Sequence, residues 1–169
     1  TSSKKGHKVV CGFWDKHSIK ELKHNKFDIV VSQNAFAHIP NPVKYLQILE
    51  PLMKDNGLFF IQTSQADMVV NGEFDTIYHE HISYYNAYSM KCLAERAGLY
   101  LVDVVKTPIH GTSYIFVLSK KPANIARVEN ILAMESVAGL QDPATYTEWA
   151  NGVKDLLINL KDRIDVYKD

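Results

Sequence analysis

The run Phe27-Asp28-Ile29-Val30-Val31-Ser32-Gln33 followed, after one helix, by Gly57-Leu58-Phe59-Phe60-Ile61-Gln62-Thr63-Ser64 decides the fold. Both runs are apolar, rich in β-branched and aromatic residues, and lack a helical period, which is the pattern of strands buried on both faces of a parallel sheet. Between them, Asn41 and Pro42 form a helix start: asparagine caps the first turn, and proline occupies the position whose N–H has no helical partner. Leu46, Leu49 and Met53 recur at spacings of three and four, giving a core-facing stripe up to Gly57. Pro51 falls inside that span and removes a hydrogen bond to Gln47, so an irregular last turn is expected. Strand, helix, strand is the repeating unit of an α/β sheet, and FDIVVSQ is expected to be central in it.

Outward from this unit the pattern continues. Val9-Val10-Cys11 reads as a short earlier strand, and Lys16 to Lys26 as a short exposed helix. Downstream, Asn86 to Gly98 reads as a helix with Met90, Leu93, Ala94 and Ala97 on one face. Leu99–Val105 and Ser113–Lys120 read as two strands, the second antiparallel to its neighbour, joined by the turn Thr107–Thr112 with Pro108 and Gly111. The expected sheet has three parallel strands plus this terminal pair. After Pro122 no strand signal returns: residues 124–140 and 144–168 look helical, separated by Gly139–Pro143. In the last helix Tyr146, Trp149, Val153, Leu156, Leu160, Ile164 and Tyr167 form an apolar seam that needs a partner surface, here or on a second copy of the chain.

The composition narrows the function. The chain has 169 residues, with 19 Lys plus Arg against 19 Asp plus Glu. That balance creates no field for phosphate backbones, so nucleic acid is not an expected partner. No apolar stretch approaches the roughly 18 to 20 residues of a membrane helix, and no signal-peptide pattern opens the chain, so a cytoplasmic location is expected. Cys11 and Cys92 are too few for a zinc or disulfide framework, and both are expected as buried thiols.

The chemistry is concentrated in Phe74-Asp75-Thr76-Ile77-Tyr78-His79-Glu80-His81-Ile82-Ser83-Tyr84-Tyr85. Near neutral pH an imidazole accepts a proton, a carboxylate favours its cationic form, and a tyrosine hydroxyl donates to a developing oxyanion. Together they suit proton abstraction; singly, each suits a structural loop. His79 and His81 alternate and could face one side of a strand as metal ligands, but the third ligand would have to be His38 or His110 brought close by folding, and no metal is expected. A serine hydrolase lacks its Gly-x-Ser-x-Gly elbow around Ser83, and no Gly-x-Gly-x-x-Gly turn supports dinucleotide binding.

The stretch Tyr78-His79-Glu80-His81 resembles the Tyr-x-Glu-His element of the S-adenosylmethionine-dependent sugar C-methyltransferases, which act on nucleotide-linked keto-sugars. Gly12-Phe13-Trp14, Asn34–Pro42 (NAFAHIPNP), Glu95–Leu99 (ERAGL) and His110–Ser113 (HGTS) match that family in order over about 100 residues. Leu140–Ala150 (LQDPATYTEWA) resembles its connector after the methyltransferase core. The resemblance implies an incomplete doubly wound, Rossmann-like class I sheet over residues 1–121 and a helical extension over 122–169. It implies His81 as general base, Glu80 as its orienting or charge-stabilising partner, Tyr78 as a donor near the substrate oxygen, and His38 as a further active-site histidine. His110 and Tyr85 are expected near the sugar, and Gly12, Phe13 and Asn34 near S-adenosylmethionine at the strand ends. The glycine-rich cofactor turn, the acidic residue after the second strand, the four-cysteine zinc region and the second nucleotide-binding-like domain of that family have no counterpart in these residues, which resemble an internal piece of a longer protein. A truncated α/β module used for binding or assembly is the alternative, and the 144–168 helix is the expected surface for self-association.

Overall fold

The computed structural model describes residues 3–15, 17–22, 25–63, 67–109 and 112–167. Its sheet is built from β1 (Phe27–Gln33), β2 (Met53–Thr63), β3 (Tyr100–Thr107) and β4 (Ser113–Ser119), in the order β1-β2-β4-β3. β1 and β2 are parallel, with Val30 beside Phe59 and Gln33 beside Gln62. β4 is antiparallel to both β2 and β3, so β3 runs in the direction of β1 and β2. The expected α/β architecture with an antiparallel final strand is therefore present.

Local chemistry explains the connections. α1 (Pro42–Leu49) begins with Asn41, whose Oδ1 accepts the Lys44 N–H at 3.0 Å, and proline holds the first turn. Its final turn is irregular, a 3-10 turn over Glu50–Leu52 at Pro51, and the strand starts at Met53 rather than after Gly57. Gly57 lies inside β2, where an added Cβ would come 2.8 Å from the Phe27 carbonyl oxygen. After the short α2 (Asp67–Asn71), α3 (Ala87–Arg96) has a reciprocal cap: the Ser89 N–H donates to Asn86 Oδ1 at 2.7 Å, and the Asn86 N–H donates to Ser89 Oγ at 3.0 Å. It ends at Gly98, with φ 76° and the Leu99 N–H returning to the Ala94 carbonyl, as a Schellman motif requires.

α1 and α3 cover one face of the sheet, where Phe36, Leu46, Phe59, Met90 and Phe116 form the buried core. Three expectations are corrected. Val9–Cys11 forms no strand and pairs with no described strand, and Cys11 is exposed while Cys92 is half-buried. β1 is an edge strand rather than a central one, with Ile29 and Val31 62% and 64% exposed. Its doubly apolar pattern asks for burial on both faces, and the described residues cover only one.

The rest of the chain is helical. α4 (Ile125–Val137) packs on β3 and α3, and Arg127 Nε lies 3.0 Å from Asp103 Oδ1. α5 (Pro143–Asp165) is capped by Asp142 and anchored at its start through Tyr146 and Trp149. Further along, Leu156, Leu160 and Ile164 are each about half exposed, so this part of the seam is uncovered in the monomer.

Candidate active site

The site is assembled at the C-terminal end of the parallel strands, the side on which open α/β sheets hold their ligands. Directly after β1, Asn34 takes a left-handed backbone with φ 50°, and its N–H donates to the Gln62 carbonyl at 3.1 Å. A positive φ is uncommon outside glycine, and asparagine is among the residues that tolerate it. The chain then turns through Phe36–His38. Phe36 and Ala37 are buried, and the Ala37 carbonyl accepts N–H groups from both Ile82 (2.9 Å) and Ser83 (3.2 Å). Those two bonds fasten the histidine-rich loop to the strand-end turn that carries His38.

The loop sets the ring orientations through backbone carbonyls. His81 Nδ1 lies 2.9 Å from the Thr76 carbonyl oxygen, and His38 Nδ1 lies 2.8 Å from the Glu80 carbonyl oxygen. A carbonyl only accepts, so each Nδ1 carries the hydrogen and, in the neutral ring, each Nε2 carries the lone pair. The Nε2 of His81 is 2.9 Å from the Tyr78 hydroxyl, which donates to it in that state. The Tyr78 and His81 ring centroids are 4.1 Å apart, and those of His38 and His81 are 5.0 Å apart. Tyr84 donates its hydroxyl to the same Thr76 carbonyl at 2.8 Å, and burial pushes its own ionisation upward.

Of the residues singled out in the sequence, Tyr78, His81 and His38 therefore share one cluster, with His81 and His38 half-buried and Tyr78 exposed. Glu80 contributes its carbonyl to His38, and its carboxylate stands 3.8 Å from Nε2 of His79 on the surface. Tyr85 is 5% exposed and packs its ring on Phe36 at 5.4 Å, so it is a core residue rather than a substrate contact. Tyr84, next to it, packs instead against the cluster of Met68, Val69 and Leu140. Gly12 and Phe13 are exposed, and the segment is held to α1 by Trp14, whose Nε1 donates to the Tyr45 carbonyl at 3.1 Å. His110 lies outside the described residues. Among the described residues no group of three or more His, Cys, Asp or Glu is arranged to hold a metal ion.

Two contributors escaped the sequence reading. Thr76 acts through its backbone carbonyl, which leaves no signature in residue type. Glu135 is 3% exposed, and its Oε1 and Oε2 accept the N–H groups of Ala87 (2.6 Å) and Tyr88 (3.1 Å) at the start of α3. Its signal was available: an acidic residue seven positions after buried Val128, on the apolar face of α4.

Comparison with known proteins places this geometry in context. Residues 3–104 match the family model described as a methyltransferase domain. The chain is 33% identical over 132 residues to the C-methyltransferase NovU of Streptomyces niveus, covering 76% of this chain and 31% of that protein. It is 36% identical over 55 residues to the ubiquinone biosynthesis O-methyltransferase of Glaesserella parasuis serovar 5, covering 32% of this chain and 22% of that protein. The chain thus spans less than a third of the length of either curated relative. Among solved structures, an S-adenosylmethionine-dependent methyltransferase from Clostridium acetobutylicum superposes with a TM-score of 0.50 at 11% identity, covering 69% of this chain and 67% of that one, a likeness of fold. With three-fifths of its length under the family model and the matching sheet, this chain belongs to the methyltransferase-domain family.

Proposed function

We propose that this chain carries the proton-abstracting part of an S-adenosylmethionine-dependent C-methyltransferase that acts beside the ketone of a nucleotide-linked keto-sugar. The observation that carries it is the His81 imidazole, with Nδ1 donated to the Thr76 carbonyl and Nε2 facing the Tyr78 hydroxyl. The NovU relative, a C-methyltransferase by name, supports carbon as the methyl acceptor.

Gly12, Phe13 and Asn34 are the residues that would hold the cofactor. Phe13, 87% exposed on a segment pinned by Trp14, offers an uncovered aromatic face for an adenine ring, and Asn34, with its left-handed backbone at the end of β1, offers polar atoms to the cofactor. Bound S-adenosylmethionine supplies an electrophilic methyl group. Every proton movement belongs to the protein's own residues. When substrate enters, the Tyr78 O–H turns from His81 to the ketone oxygen, and Nε2 takes the proton from the adjacent carbon. The C–H electron pair becomes the enolate double bond, the carbonyl pair moves to oxygen, and Tyr78 stabilises the developing charge. The imidazolium so formed keeps its second proton on Nδ1, where it is donated to the Thr76 carbonyl. His38, with its Nδ1 likewise fixed, presents Nε2 to a substrate hydroxyl. Positioning converts the encounter of base and carbon acid into an intramolecular event.

The test is His81→Asn in the full-length protein, assayed for methyl transfer to nucleotide-linked keto-sugars. Loss of transfer with an unchanged circular dichroism spectrum is the expected result. Transfer at the normal rate would remove His81 from the base role.

A further inference from the structure

We propose that Glu135 and Trp149, both on the helices that follow the sheet, are positioning residues for the His81 loop. This rests on the assignment of that loop as catalytic. The loop is held at both ends by the helical extension. At its start, the Trp149 indole N–H donates to the Glu73 carbonyl at 3.2 Å. At its end, Asn86 Nδ2 donates to the Leu140 carbonyl at 2.7 Å, and the Glu135 carboxylate takes the first two N–H groups of α3.

Those N–H groups belong to the set that a helix cannot satisfy internally, and a carboxylate there also meets the positive end of the helix dipole. Capping from within the sequence is already supplied by Asn86 and Ser89. The additional acceptor comes from 48 residues away, so it fixes the direction of the whole α3 entry relative to α4 rather than the helix alone. Tyr84 closes the connection: it packs in a cluster with Leu140, Tyr146 and Trp149, while its hydroxyl holds the Thr76 carbonyl that orients His81. Movement of the extension is thereby transmitted to the hydrogen bond that sets the His81 tautomer. Misplacement of a catalytic group by about 1 Å can cost on the order of 100-fold in rate.

The experiment is imidazole nitrogen NMR on the 169-residue chain, comparing wild type with Trp149→Phe, Glu135→Ala and Glu135→Gln across pH. Wild type should show His81 as a single neutral tautomer with hydrogen on Nδ1. Trp149→Phe, which keeps an aromatic ring and loses the N–H, and Glu135→Ala should both shift His81 toward averaged tautomers and move its titration midpoint. Glu135→Gln, retaining one acceptor oxygen, should restore part of the wild-type signal. His17, before the sheet, should be unaffected throughout. An unchanged His81 tautomer and midpoint in natively dispersed Trp149→Phe and Glu135→Ala chains would overturn the proposal. If Glu135→Ala does not fold, Trp149→Phe decides it. Altered His81 signals together with full methyl transfer by His81→Asn would uphold the positioning and refute the catalytic assignment instead.

Discussion

His38 and His81 sit with ring centroids 5.0 Å apart, and each directs its Nδ1 at a backbone carbonyl of one loop, Glu80 for the first and Thr76 for the second. Two imidazoles are thereby given the same tautomer by groups that cannot titrate. Their Nε2 atoms remain the proton-accepting positions, and the Tyr78 hydroxyl already occupies one of them at 2.9 Å.

Tyr78→Phe removes that hydroxyl and leaves the ring. The expected outcome is a fall in kcat of about 100- to 1000-fold, the loss typical of one oxyanion donor, with little change in KM. Steady-state methyl-transfer kinetics check it, and an unchanged kcat would make Tyr78 a packing residue.

Gly57→Ala should destabilise the fold by about 1 to 3 kcal/mol, because the new methyl would meet the Phe27 carbonyl at 2.8 Å and both groups are backbone-fixed. Urea unfolding reads the loss as a lower midpoint with an unchanged slope. A midpoint equal to wild type would mean that the strand pair at Phe27 yields without cost.

Glu135 gives a pH dependence of defined sign. Burial raises its pKa above the ordinary value of 4.5; the N–H groups of Ala87 and Tyr88 oppose that rise, the Asp67 charge adds to it, and Lys106 offsets it. A group whose folded pKa lies above its unfolded one contributes stability that is complete below the unfolded value and is lost as pH rises through the folded value. The stability of wild type relative to Glu135→Gln should therefore decline as pH rises from about 4.5, where the other carboxylates cancel in the difference. Paired urea titrations at several pH values measure it, and a difference that grows with pH would contradict the assignment.

The four strands of the sheet, the Asn41 cap and the Gly98 stop were legible in the sequence because each is a local preference written in residue type, whereas the equally apolar Val9–Cys11 forms no strand. Asn41, Asn86 and Gly98 do what those residues do wherever they stand at helix ends. The position of β1 was not legible: an apolar run records that both faces should be covered, not which neighbours cover them. The grouping of Tyr78 with His81 followed from their spacing in one loop. The arrival of His38 followed only from the family resemblance, since the Ala37 carbonyl that brings it there bonds across 45 residues to Ile82. Tyr84 and Tyr85 are identical in type, and only the packed structure separates the one that holds the Thr76 carbonyl from the one in the core.

The central claim, that His81 removes a proton from carbon, is tested most directly without any methyl transfer. The protein would be incubated with nucleotide-linked keto-sugar in deuterium oxide, and deuterium entry beside the ketone followed by NMR. Wild type should exchange that hydrogen well above the protein-free rate and His81→Asn should not. Exchange by His81→Asn at the wild-type rate would contradict the account.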